Sequence, residues 1–259
     1  HGPKYIDCGH QNIAVSMATA ATLRALSEVL QGIGLDTDTI ANRRTKWRKL
    51  QNAWCAGLAK QEEQAEIAET ITPPLVMELL REVVGADCNV VDDVIIHQTG
   101  IRENLSRDDP LTFFRAPSGL GKGLEYALGV KLALPKRSVI VTIGDGSFMH
   151  NPVVTTLALS DEHSLPLIIL VFTNSQYAIM KHFHKRFYLD GVAVADDVYY
   201  GVKMFGPRYE ESAAMIGGIG QRVEDPGVLR DAITAAYESV RAGKTAVLNV
   251  IMPGDGGVR

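Results

Sequence analysis

The sequence predicts an α/β fold, a doubly wound, mostly parallel sheet with helices on both faces. Three observations predict it. From residue 72 onward, helical stretches alternate with apolar runs of strand length. The runs from Asn89 to Ile96, Ser138 to Ile143, Leu167 to Phe172 and Thr245 to Ile251 are rich in Val, Ile and Leu without alternation, so helices should cover both faces of each. Two of these runs end in the turns Gly144-Asp145-Gly146-Ser147 and Thr173-Asn174-Ser175, at the carboxyl ends where such sheets bind ligands.

Taken in order, Tyr5 to Cys8 is a short strand-like piece, followed by Gln11 to Ala14. A helix begins near Ala18-Thr19 and runs through Leu23, Leu26, Val29 and Leu30, apolar at three- and four-residue steps, until Gly32 and Gly34 end it. One strand and one helix cannot bury a core, so residues 1–34 are expected to be the C-terminal remnant of a domain whose body lies elsewhere. Residues 35–71 are polar, charge-rich and helical, with Trp47, Leu50, Trp54 and Leu58 on one face. They are expected to form a linking helix that packs across the surface of the next domain, residues 72–259.

That domain opens on Thr72-Pro73-Pro74, a helix start whose prolines occupy positions needing no N–H. Helices are then expected over Leu75 to Val84, Ser118 to Val130, Val153 to Leu159 and Val228 to Arg241.

Composition narrows the function. With 46% hydrophobic and 22% charged residues among 259, the chain is ordinary for a globular protein. A formal charge of −4 argues against a nucleic-acid surface. No apolar run approaches the roughly 20 residues that span a bilayer; the longest, Leu165 to Phe172, contains Pro166. Cys8, Cys55 and Cys88 form no CxxC pair and are expected to be reduced thiols in a cytoplasmic protein. The opening His1-Gly2-Pro3 has neither an initiating Met nor the make-up of a signal peptide, so a tag remnant, a processed end or a cut within a longer chain is expected there. Neither GxGxxG nor a complete Walker GxxxxGK[ST] motif is present, since Gly243-Lys244-Thr245 has Glu238 where the first glycine is needed, which counts against a plain nucleotide-binding domain.

The chemistry concentrates at two strand ends. Gly144 and Gly146 let the backbone turn tightly so that its N–H groups face a phosphate, with the N-terminus of a following helix to favour the anion. Asp145 projects a carboxylate at the same point, and Asn174 brings an amide oxygen beside it if the two strands are neighbours. One carboxylate and one amide suit Mg²⁺ or Ca²⁺, with phosphate oxygens completing the shell.

Gly144-Asp145-Gly146-Ser147, followed 29 residues after the Asp by Asn174, resembles the thiamine diphosphate signature that begins GDG and ends NN. The segment from Phe113 to Gly121 and the run from Val130 to Ile143 are similar to the same family, the enzymes of acetolactate synthase, benzoylformate decarboxylase and pyruvate decarboxylase. The resemblance extends from about Tyr5 to the C-terminus. Thr173 replaces the first Asn of the signature, and the spacing is slightly long, which a loop at Asp161 to Ser164 would absorb.

The resemblance implies the thiamin diphosphate-binding fold, with Asp145, Asn174 and the Gln176 carbonyl holding the divalent metal. It implies cofactor contacts from Gly144, Gly146, Ser147, Tyr177 and Ala178 at the diphosphate, from Ser118 and Gly119, and from Gln98. Leu120 takes the position of the bulky side chain that bends the cofactor into its V form, while the Ser118 carbonyl accepts from the 4′-amino group. His97 stands in a loop that lies against cofactor and substrate in relatives. It is a candidate for binding substrate carboxylate or moving a proton; a hydrogen-bonded strand-end histidine is the alternative. His182 and His184, beside Lys181, Lys185 and Arg186, are expected to form a solvated basic helix face rather than to cover the site.

The implied activity is decarboxylation or carboligation of a 2-oxo acid. Tyr177 to Phe183 looks closer to benzoylformate decarboxylase than to acetolactate synthase. The family also implies a homodimer or homotetramer with sites between subunits, and leaves open a flavin (FAD) in a middle domain. The pyrimidine-binding domain, which supplies an activating glutamate, has no counterpart in the sequence; Glu125 and Glu162 fall in the wrong domain. The chain is therefore expected to be half a site and inactive alone. A non-catalytic module that binds thiamine diphosphate is the alternative reading.

Overall fold

The computed structural model describes residues 18–34, 36–66, 68–105, 109–116 and 119–254, without the side chains of residues 62 and 66. The expected strand at Tyr5 to Cys8, its continuation to Ala14, and Ser118 lie outside these residues. The chain divides into two compact units, His1–Ala56 and Gly57–Arg259.

The first unit contains α1 (Thr19–Gly32) and the start of α2 (Thr37–Glu66). No residue of α1 is buried. Its Leu23, Leu26, Val29 and Leu30 are exposed, as are Trp47, Leu50 and Trp54 of α2.

The second unit begins its α/β alternation at α3 (Pro73–Val84). Thr72 caps this helix, its hydroxyl accepting from the Leu75 N–H, and Pro73 and Pro74 follow where no donor is needed. Then come β1 (Cys88–Asp93), α4 (Gln98–Asn104), β2 (Phe113–Arg115), α5 (Gly123–Ala133) and β3 (Ser138–Gly144). The short α6 (Asp145–His150), α7 (Val153–Glu162), β4 (Ile168–Thr173), α8 (Ala178–Phe187) and α9 (Val192–Ala195) follow. A 3-10 helix (Tyr209–Ile216), β5 (Ile219–Val223), α10 (Pro226–Arg241) and β6 (Ala246–Ile251) complete the unit.

The six strands form one sheet in the order β2-β1-β3-β4-β6-β5, every pair parallel. Alternate residues feed two cores, which explains the absence of a two-residue alternation in the sequence. Val90, Ile140, Ile168, Leu170, Phe172, Leu248 and Val250 meet α3 and α10 on one face. Val91, Val139, Val141, Ile169, Val171 and Val247 meet α5, α7 and the 3-10 helix on the other. Burying each such side chain contributes roughly 1.5–3 kcal/mol, so the four central strands hold the sheet.

Two boundaries near the site differ from expectation, and two strands were not expected. β1 stops at Asp93 rather than Ile96, because the Asp92 carboxylate accepts from the Val94 N–H and turns the chain. α5 starts at Gly123 rather than Ser118; Gly119 and Gly121 precede it at φ 114° and 83°, left-handed values that end no helix but shape a loop. The edge strands β2 and β5 were not legible: β2 has three residues, and β5 is exposed over its first four.

Candidate functional site

The sheet reverses its winding between β1 and β3. From β1 the chain passes outward to β2, and from β3 it passes the other way to β4. The loops after these two strands therefore diverge and leave a crevice at their carboxyl ends. A cleft opens there, and β4 supplies its third side.

Register brings the two expected metal-binding residues together. Gly144 pairs with Phe172, so Asp145 and Asn174 each stand just beyond neighbouring strand ends. Asp145 is buried, and its two oxygens accept from the N–H groups of Gly146 and Ser175, both at 2.8 Å. Burial pushes its carboxyl above the ordinary range, and these backbone donors pull it part of the way back. Asn174 turns its own loop, its Oδ1 accepting from the Gln176 N–H at 3.2 Å. Ser175 between them takes φ 54°. The Gln176 side-chain amide donates to the Gly254 carbonyl, while its backbone pairs with Lys203.

His97, Leu120, Gly144, Asp145, Gly146 and Ser147 all line this one cleft, with Asn174, Gln176, Tyr177 and Ala178 opposite. Gly119 and Gln98 are not among its lining residues. His97 is buried at the start of α4, its ring edge-on to Phe172 with centroids 6.0 Å apart. His182 and His184 lie on α8 away from the lining; His184 packs on Tyr188 and Tyr199 instead. Glu125 and Glu162, on α5 and α7, also stand outside the lining.

The donor set fits a hard divalent cation. Among the described residues no three His, Cys, Asp or Glu cluster as metal ligands, so a cation at Asp145 would have to take its remaining oxygens from amides, carbonyls and a bound ligand. Space for that ligand exists at Gly144, where an added Cβ would meet nothing within 4 Å. Gly146 is the opposite case, since a Cβ there would stand 2.6 Å from the Tyr177 ring. The Tyr177 N–H is taken by the Val202 carbonyl at 2.8 Å. The amides of Ala178 and Ile179, in the first turn of α8, have no carbonyl four residues back within the helix, and both residues line the cleft.

The matching model for the thiamine pyrophosphate enzyme C-terminal TPP binding domain covers residues 97–250, from the cleft histidine through the last strand. The chain belongs to that family. Relatives in this thiamine pyrophosphate family include the acetolactate synthase isozyme 3 large subunit of Escherichia coli, 27% identical over 190 residues, 72% of this chain and 32% of that one. Benzoylformate decarboxylase of Pseudomonas aeruginosa is 27% identical over 183 residues, 69% of this chain and 34% of its own length. The chain thus spans about a third of the length of each of these two curated relatives. The crystal structure of benzoylformate decarboxylase from Polynucleobacter necessarius shares the fold with a TM-score of 0.62 at 23% identity, over 72% of this chain and 34% of that one.

Sequence reasoning missed Asp93, which lines the thiamine pyrophosphate-family cleft and organises it. Its Oδ2 accepts from the Ser147 hydroxyl and from the Gly123 N–H at 3.0 Å. The same Ser147 hydroxyl accepts from the Gly121 N–H at 3.1 Å. Asn151 closes the ring, accepting from the Leu124 N–H at 3.2 Å and donating to the Ser147 carbonyl at 2.7 Å. The loop that carries Leu120 is thereby pinned to the turn that carries Asp145. Burial raises the Asp93 carboxyl, against the pull of these donors. Val94, Ile95 and Ile96, expected as strand, form an apolar wall of the cleft instead.

Proposed function

We propose that the chain is the cofactor-binding part of a thiamine diphosphate-dependent enzyme that decarboxylates or ligates 2-oxo acids. One observation carries this reading: Asp145 and Asn174 stand at adjacent carboxyl strand ends in the same cleft as Leu120 and the open face of Gly144. Magnesium would be held by the Asp145 carboxylate, the Asn174 amide oxygen and the Gln176 carbonyl. The diphosphate would lie against Gly144, Gly146, Ser147 and the free first-turn amides of Ala178 and Ile179. The cofactor, when bound, supplies the carbon nucleophile and electron sink that 2-oxo acid chemistry requires.

The residues of this chain do the positioning. Leu120 would support the cofactor from a loop fixed by Asp93 and Ser147, which would hold it oriented for reaction. His97, Ile95 and Ile96 face the space left for substrate; His97 either pairs with its carboxylate or moves a proton, and the isoleucines favour an apolar side chain. On this reading the activating glutamate comes from a pyrimidine-binding domain, in the same polypeptide or in a partner within a homodimer or homotetramer.

Calorimetric titration with thiamine diphosphate, with and without Mg²⁺, tests the assignment. Binding should require the metal and be lost in Asp145→Ala. A protein that binds equally well without Mg²⁺, or whose Asp145→Ala variant binds as the parent does, would refute it.

A further inference from the structure

Thr173 stands where the family signature carries its first Asn, and the structure shows what its hydroxyl does instead. It donates to the Asn249 Oδ1 at 2.7 Å, across from β4 to β6. The Asn249 amide in turn donates to the Glu210 Oε2 at 2.7 Å. All three side chains are buried, Asn249 completely and Glu210 to within 4% of exposure. The other oxygen of Glu210 faces Arg208 Nε at 3.4 Å. A line of buried polar groups thus runs from the residue before Asn174 to the second residue of the 3-10 helix.

The segment leading into that helix also grips the metal-binding loop directly. The Tyr177 N–H donates to the Val202 carbonyl at 2.8 Å, and the Met204 N–H donates to the Ser175 carbonyl at 2.9 Å. Gly206 passes so near that an added Cβ would lie 2.8 Å from the Ser175 hydroxyl oxygen. Tyr209, next to Glu210, is buried edge-on against Phe148 of α6, ring centroids 5.4 Å apart. Residues 202–210 therefore reach both halves of the site: the Asn174 loop directly through 202–206 and by way of Asn249 from Glu210, the Asp145 turn through Tyr209.

We propose that Glu210 is a positioning residue for the cation site, setting the place of Asn174 through Asn249 and Thr173. This rests on the thiamine diphosphate reading above. Glu210 touches neither cofactor nor metal. Its effect is to fix the end of β4, so that Asn174 is held beside the Asp145 turn before a cation arrives. A buried carboxylate is costly unless its acceptor capacity is used, and here the amide of Asn249 and the Arg208 guanidinium use both oxygens.

The test is a Mg²⁺ titration of the intact protein at saturating thiamine diphosphate, alongside its thermal unfolding without either ligand. Glu210→Ala and Thr173→Val should each raise the half-saturating Mg²⁺ about tenfold, in the range found when groups supporting metal ligands are removed. Glu210→Gln, whose amide oxygen still accepts from Asn249, should stay within about threefold of the parent. Thr245→Val is the control. Its hydroxyl joins the same strands at their amino ends, bonded to Ser160 at 2.8 Å and the Leu167 N–H at 3.1 Å. It should lower the unfolding temperature with no change in Mg²⁺ requirement. Parental half-saturation in Thr173→Val, or an equal shift in Thr245→Val, would overturn the proposal, even if Glu210→Ala fails to fold. A parent protein that does not bind thiamine diphosphate with Mg²⁺ would overturn the functional reading itself, and this inference with it.

Discussion

Replacing Asp93 with alanine should cost the second unit about 2–4 kcal/mol, because two buried donors lose their acceptor. The Gly123 N–H, at the first position of α5, points at Asp93 Oδ2 from 3.0 Å and has no helical carbonyl behind it. Leaving it unmatched costs about 1–3 kcal/mol. The Ser147 hydroxyl loses the same oxygen, but a hydroxyl rotates, so its share falls at the lower end of that range. Part of the loss is returned, since burial already holds the Asp93 carboxyl above its ordinary value and charging it costs free energy. For a unit of this size the net change corresponds to a fall in unfolding temperature of roughly 4–16 °C. Urea denaturation followed by circular dichroism measures it. The sharper assay is the double-mutant cycle with Ser147→Ala, which should show a coupling of about 1 kcal/mol or more. Two losses that simply add, within about 0.5 kcal/mol, would mean that Asp93 and Ser147 do not act as one clasp.

Two glycines of the same turn should separate stability from binding. Gly146→Ala places a methyl against the Tyr177 ring and should destabilise by about 1–3 kcal/mol; trimming the ring with Tyr177→Ala should recover most of that, and no recovery would show that the clash is not the cause. Gly144→Ala meets no protein atom and keeps φ near −73°, so its denaturation midpoint should match the parent while thiamine diphosphate affinity drops at least tenfold; intact affinity would remove Gly144 from the ligand's path. Asp92 supplies a pH test. It is fully buried, and desolvation raises its carboxyl more than the paired Arg115 lowers it. A folded value above the unfolded one gives stability that is complete below the unfolded range and lost as pH rises through the folded value. The parent should therefore gain stability relative to Asp92→Asn as pH falls from about 7 toward about 4. A difference that is flat or runs the other way across that window contradicts the burial argument.

Much of the fold was legible because four strands are buried on both faces. Ser138 to Ile143 and Thr245 to Ile251 match β3 and β6 to within a residue, since only a strand covered on both sides tolerates uninterrupted Val, Ile and Leu. The helix start at Thr72 was legible from local chemistry, a side-chain oxygen capping the first turn and then proline; the same device at Asp225-Pro226 starts α10 two residues before the expected Val228. β2 and β5 escaped because edge strands lack that signal. β5 exposes Ile219 and carries Gln221 and Arg222, and it is a strand only because β6 offers it a parallel partner. Val94 to Ile96 misled in the opposite sense: three apolar residues continuing a strand line a cleft instead, their direction changed by a single Asp92–Val94 hydrogen bond.

The site divides along the same line. The positions of Asp145 and Asn174 were readable because each follows its strand directly, and adjacent parallel strands put their carboxyl ends side by side. What holds those ends in place was not readable from spacing: Ser147 reaches Asp93 across 54 positions, and Asn249 reaches Glu210 across 39. One clue was nevertheless present. Asp92 and Asp93 close the apolar run Val90-Val91, and a carboxylate in a strand covered on both faces must find donors or remain a costly charge. Each found its own. Asp92 takes Thr142, Arg115 and the Val94 amide on one face of the sheet, while Asp93 takes Ser147 and Gly123 on the other. Adjacent residues on a strand point to opposite faces, so the pair binds the edge strand β2 with one carboxylate and the Leu120 loop with the next. An acidic pair ending a buried strand therefore marks where a parallel sheet fastens the loops above it, and here those loops form the cleft.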